Sequence, residues 1–160
     1  MDNIESTKKH ALRILGNRSY SEKEMQNRLL NKGESLENAE ETVRWLVELG
    51  YINDSDYATS IVKHYSGKGY GLARIKDELY KRGIPAELRD DKLSELSSEE
   101  MYNAALEFLC KKLKESRDDD EIQRASGALV RRGYSYDEAR TAVNRYLEIN
   151  DKSQIANDKL

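Results

Sequence analysis

The chain has one proline, one cysteine, one phenylalanine and one tryptophan among its 160 residues. With that single proline and only nine glycines, it lacks the breakers that the many tight turns of a β-sandwich need, and helices are favoured before any pattern is read. Cys110 has no partner for an internal disulfide, which fits a reducing cytoplasm. Long apolar runs are absent, Trp45-Leu46-Val47 being typical, and the opening Met1-Asp2-Asn3-Ile4-Glu5 has neither a basic region nor a hydrophobic stretch. Neither membrane association nor export is expected. A basic excess is missing too: the net charge of -3 argues against wholesale coating of nucleic acid, so any such contact is weak, indirect or confined to a local patch.

What is present is a repeat. Gly33, Gly83 and Gly133 stand fifty residues apart, and each closes a stretch that turns from apolar to polar: Leu29-Leu30-Asn31-Lys32, Leu79-Tyr80-Lys81-Arg82 and Leu129-Val130-Arg131-Arg132. Helices end in this way, with cations at the negative end of the dipole and a glycine free to turn left-handed. Two residues later come Ser35, Pro85 and Ser135, suited to an N-cap or a first helical position. The pairs Val43/Leu46, Leu93/Leu96 and Val143/Tyr146 mark the apolar face of the helix that follows. Upstream, Ala11-Leu12-Leu15, Tyr57-Ala58-Ile61-Val62 and Ala104-Ala105-Phe108-Leu109 mark the helix that precedes. Ser21 with Glu24, Ser97 with Glu100 and Ser135 with Glu138 have the capping-box spacing, and Gly16, Gly50 and Gly67 are read as stops. The expected architecture is all-α: three tandem three-helix repeats at 5–50, 54–96 and 98–147, with a frayed tail over 148–160. Stacking of such units predicts an elongated, curved array with one extended binding face.

Catalytic chemistry finds few ingredients. There are two histidines, His10 and His64, and no serine sits in a nucleophile-elbow context. His64, between Lys63 and Tyr65, reads as an exposed helical histidine. Gly67-Lys68-Gly69-Tyr70-Gly71 lacks the spacing and the preceding strand of a phosphate loop and reads as a connector. Asp118-Asp119-Asp120-Glu121 lacks the alternation and central glycine of a calcium loop and reads as a helix start. The expectation is a protein that binds a macromolecule, with no metal and no cofactor.

Charge is segregated along the chain. From Ser60 to Pro85 there are six cations against two anions; from Glu87 to Glu100 there are two against six. Solvated helix faces account for such runs in many helical proteins. The alternative is a positive patch in the middle repeat, with Tyr65, Tyr70 and Tyr80 interleaved, facing phosphates or an acidic protein surface. The candidate residues are Lys63, His64, Lys68, Arg74, Lys81 and Arg82, joined by Arg131 and Arg132 from the third repeat. Lys111-Lys112-Lys114 form a further small cluster.

Several stretches resemble one known family, the RecX regulators of the RecA recombinase. Arg18-Ser19-Tyr20-Ser21 ahead of Leu29-Leu30-Asn31-Lys32-Gly33 resembles the family's opening motif. Gly50-Tyr51-Ile52-Asn53-Asp54-Ser55-Asp56-Tyr57-Ala58 is similar to its repeat junction. Gly67 to Gly71, continuing through Arg74-Ile75, Glu78-Leu79 and Lys81-Arg82-Gly83-Ile84, resembles its middle repeat, and Arg131-Arg132-Gly133-Tyr134-Ser135-Tyr136-Asp137 its third. The chain departs from many relatives in having Leu72 after Gly71 where a proline is common nearby, and in being acidic. A cytoplasmic, monomeric protein is expected, and the resemblance implies three tandem three-helix repeats. It also implies binding to the RecA filament on DNA, with inhibition of its ATPase, recombinase and coprotease activities. Two other readings stay open on the residues alone: a helix-turn-helix-like module that binds DNA directly, and a generic helical adaptor.

Overall fold

The computed structural model describes the backbone of residues 3–158 and the side chains of residues 3–151. Among these residues the chain forms nine α-helices and no strand: α1 (Ile4–Leu15), α2 (Glu22–Asn31), α3 (Leu36–Glu48), α4 (Asp54–Gly67), α5 (Leu72–Lys81), α6 (Ala86–Ser94), α7 (Ser98–Leu113), α8 (Asp119–Arg131) and α9 (Tyr136–Asp158).

Local chemistry explains the helix starts. Ser21 and Glu24 form a reciprocal capping box at α2, and Ser135 and Glu138 form another at α9, with bonds of 2.9 and 3.0 Å. Ser35 and Ser97 accept the amides of Asn38 and Glu100. The acidic run at 118–121 is a helix start, since the Asp118 side chain accepts the Glu121 amide at 2.9 Å. Caps of this kind stabilise a helix by about 1 kcal/mol each.

The helix ends repeat one pattern. Gly33, Gly83 and Gly133 have φ of 94°, 76° and 102°. Each glycine amide bonds back to Leu30, Tyr80 or Val130 at 3.0 Å, and the next amide bonds to Leu29, Leu79 or Leu129 at 3.1 Å. This closure satisfies the orphan carbonyls of the last turn, and all three leucines are fully buried. The fourth helix stops at Gly67, where the sequence pointed, but without a left-handed glycine there. Gly67 is its last helical residue, and the left-handed closure falls on Gly69 (φ 81°), with the Tyr70 amide bonded to the Tyr65 carbonyl. The residues from 148 onward, expected to fray, continue α9 as far as Asp158. Neither glycine nor proline follows Gly133 to end α9. Lys159 and Leu160 lie outside the described residues. In α1 the buried stripe is Thr7, Ala11 and Ile14, which turns Leu12 out to solvent.

The chain divides into two compact units. Unit 1 takes the chain up to Val62 together with Glu78–Lys92; unit 2 takes Lys63–Asp77 with the chain from Leu93 on. In unit 1, α1, α2 and α3 pack on one another around Ala11, Met25, Leu29, Val43, Leu46 and Ile52. In unit 2, α7, α8 and α9 do the same, burying Leu109, Leu113, Leu129 and Tyr146, the last with its hydroxyl donating to the Ser116 carbonyl at 2.8 Å. The middle three helices are shared out between the two.

A common joint explains that division. In unit 1 the turn after α5 sits on the start of α2, where the Ser21 hydroxyl donates to the Arg82 carbonyl at 2.5 Å. In unit 2 the turn after α8 sits on the start of α5, where the Gly71 amide donates to the Arg132 carbonyl at 2.7 Å. Both partners have moved on by fifty residues, so the sequence repeat is also a repeat of packing.

Candidate interaction surface

The joint in unit 2 builds a surface feature. The connector between α4 and α5 places Tyr70 between two glycines, and the turn after α8 satisfies its carbonyls: Arg132 Nη2 donates to Lys68 O at 2.7 Å and the Tyr134 hydroxyl to Gly69 O at 2.9 Å. Burial pushes the Tyr134 phenol from its ordinary value of 10 up to about 12, against the opposing pull of Arg132, so the hydroxyl stays a donor.

Around Tyr70 the cations and rings alternate. Arg132 Cζ lies 4.4 Å from the Tyr70 ring centre and 5.0 Å from that of Phe108, whose ring also faces Lys112 at 5.6 Å. On the other side Arg74 lies 5.3 Å from Tyr70 and 6.0 Å from Tyr65, and His64 meets Tyr65 edge-on at 5.1 Å. The ladder therefore runs Lys112, Phe108, Arg132, Tyr70, Arg74, Tyr65, His64. Contacts of this type contribute roughly 0.5–2 kcal/mol each, and they hold the cationic groups in defined positions among rings that are only partly buried.

The eight candidate residues do not form one uniform patch. Lys63, His64, Lys68 and Arg131 are exposed in unit 2; Arg74 and Arg132 are half-buried there, with their guanidinium groups occupied by the ladder. Lys81 and Arg82 belong to unit 1, where Arg82 Nη1 donates to the Tyr57 hydroxyl at 2.9 Å, an oxygen that also takes Arg18 Nη1 at 3.0 Å. Burial still raises the Tyr57 pKa, although Arg82 opposes the shift. Counting charges along the chain treats all arginines alike, whereas a planar guanidinium stacks on rings and spends part of its capacity inside the fold.

Sequence reasoning missed what joins the ladder to the third repeat. Phe108 is the link to Lys112, and beyond it Lys112, Lys114, Arg124 and Arg131 converge on an open cleft of about 940 Å³ that also contains Asp120 and Glu121. Among the described residues none of these four cations forms an ion pair, and Glu121 is engaged by the Ser116 hydroxyl. Arg124 and Arg131 stand seven residues apart on α8, two turns along one face. That spacing, beside the Lys111-Lys112-Lys114 cluster, was the available signal. Lys114 adopts a left-handed backbone (φ 48°) at the end of α7. Around this cleft positive charge and N–H donors outnumber the two carboxylates of Asp120 and Glu121.

Comparison with known proteins adds the following. Residues 53–93 match the model of the second three-helix domain of RecX, and residues 98–143 match that of the third. The chain is 34% identical over 126 residues to the regulatory protein RecX of Deinococcus radiodurans, covering 78% of this chain and 60% of that relative. It is 29% identical over 151 residues to the regulatory protein RecX of Streptomyces lividans, covering 92% and 80%. The crystal structure of RecX from Lactobacillus salivarius superposes with a TM-score of 0.77 at 23% identity, over 89% of this chain and 96% of that one, a likeness of fold. No helix among the described residues is long and apolar enough to cross a membrane.

Proposed function

Because the chain belongs to the RecX family, we propose that it is a non-enzymatic regulator that binds the RecA filament on DNA. Binding inhibits the filament's ATPase, recombinase and coprotease activities, and so modulates homologous recombination, DNA repair and the SOS response. The protein acts in the cytoplasm as a monomer built of three helical repeats, at 5–50, 54–96 and 98–147, and touches nucleic acid weakly or through the filament.

The observation that carries this reading beyond the family is the cationic face of unit 2. A net charge of -3 makes the molecule a poor general binder of DNA, yet Lys63, Lys68 and Arg131 are exposed beside a ladder that fixes Arg74 and Arg132. Such an arrangement steers encounter with an anionic partner and sets its orientation more than it adds raw affinity. A filament of protein on DNA is a partner of this kind.

Co-sedimentation separates the readings. With RecA assembled on single-stranded DNA the protein pellets, and with the same DNA bare it stays in the supernatant. If it pellets equally with bare duplex and is released steeply between about 50 and 200 mM salt, as phosphate-dominated binding is, it is a direct DNA binder and the proposal fails.

A further inference from the structure

Unit 2 also carries a surface of the opposite character. A groove of about 380 Å³ opens where α7 and α9 begin, floored by Met101, Tyr102 and Ala105 of α7 and closed by Leu93, Leu96 and Leu72. That volume lies within the range of ordinary binding pockets and admits two or three apolar side chains. Leu72 is 42% exposed, and Tyr136, beside the rim, is 76% exposed. The apolar floor is thus reachable from solvent beside Leu72.

The rim is acidic. Asp137 and Glu138 line it from α9. Glu99 and Glu100 stand in the first turn of α7, just before the lining residue Met101. Arg140 reaches Asp137 only at 3.9 Å, with both side chains largely in solvent. Carboxylates around an apolar floor repel a phosphodiester backbone and attract lysine and arginine.

We propose that this groove docks a basic, amphipathic helical segment of a partner protein, with its apolar side chains on the α7 floor and its cations against the α9 rim. Helix-in-groove recognition uses this division of labour: apolar anchors at i, i+4 and i+7 supply the contact, and flanking charge selects the partner. The groove is separate from the cationic ladder, and its occupancy does not depend on RecA.

The test uses the full chain and no RecA. A fluorescein-labelled peptide of about 14 residues, leucines on one helical face and lysines elsewhere, is titrated by anisotropy beside two controls. One has the leucines changed to serine, the other the lysines to glutamate. Wild-type protein binds the leucine–lysine peptide at least about tenfold more tightly than either control. Thr141→Trp, at an exposed position of α9 that lines the groove, fills the groove and weakens binding about tenfold. Asp137→Lys, at the open rim, weakens it about threefold and serves as the second variant should Thr141→Trp misfold by circular dichroism. Equal binding of all three peptides overturns the proposal, as does wild-type binding by folded variants. If sedimentation shows a self-association that Thr141→Trp abolishes, the occupant is a second copy of the chain and the proposal is likewise overturned.

Discussion

Gly71 and Gly133 cross backbone to backbone: a Cβ on Gly71 would lie 2.5 Å from both the Gly133 carbonyl oxygen and the Tyr134 amide nitrogen. Real Cβ atoms do not approach backbone so closely, so both positions are held as glycine by packing. Gly133 has a second reason in its φ of 102°. The Ser21 hydroxyl bond to Arg82 is the counterpart in unit 1. There a Cβ on Gly83 would meet the Cβ of Lys23 at 2.8 Å, a clash with the root of a side chain.

Such crowding predicts graded costs. Gly33→Ala, with nothing within 4 Å of its added Cβ, pays only for the left-handed backbone, about 1 kcal/mol. Gly133→Ala meets the Arg74 amide at 2.5 Å as well and costs roughly 1–3 kcal/mol more. Urea denaturation of the two variants measures the difference, and equal costs would remove the close crossing from the account.

Ser21→Ala removes the N-cap of α2 and the bond to Arg82 together. The expected loss is about 1–2 kcal/mol. Ser135→Ala, which removes a cap alone, should lose less, and thermal melts of the pair show whether the joint contributes beyond capping.

Tyr134 gives a pH signature. Its phenol titrates at about 12 in the folded protein against 10 ordinarily, so the folded state holds the proton more tightly than the unfolded chain. The stability this provides is complete below pH 10 and is lost as pH rises toward 12. Tyr134→Phe has no such component. Tyr57 and Tyr146 are also raised, so the measure is the difference in alkaline slope between wild type and Tyr134→Phe in urea midpoints over that interval.

Reversing Lys63, Lys68 and Arg131 to glutamate changes three exposed cations of unit 2 without touching the guanidinium groups stacked in the ladder. Helical content should be unchanged. Association with the RecA filament should weaken about tenfold at low ionic strength, and the difference should narrow as salt is raised. Surface plasmon resonance across salt checks this.

The fold was legible because helix chemistry is local. Capping serines, terminal cations and left-handed glycines are each decided within a turn, so Gly33, Gly83 and Gly133 announce their helix ends from the sequence alone. Gly67 ends its helix as read, but the left-handed turn falls on Gly69, and which of the two glycines takes it depends on where Tyr70 must sit. The tail reads as frayed because a run of polar residues resembles a loose end, although nothing in it stops a helix. The candidate surface was legible as charge but not as geometry. Lys63, Lys68 and Arg131 are exposed, whereas Arg74 is drawn onto the rings of Tyr65 and Tyr70 and Arg132 onto those of Tyr70 and Phe108, the Arg132–Tyr70 contact joining residues far apart in the chain. No spacing rule pairs Phe108 with Arg132 or sends Lys81 and Arg82 to a different unit from Lys68.

The most direct test of the central claim is the DNA-dependent ATPase rate of RecA on single-stranded DNA as the protein is added. The account predicts that the rate falls with increasing wild-type protein, which itself hydrolyses no nucleotide, and that the Lys63, Lys68, Arg131 reversal needs about tenfold more protein for the same inhibition. A rate that stays constant up to a molar excess of wild-type protein would contradict the assignment as a regulator of the RecA filament.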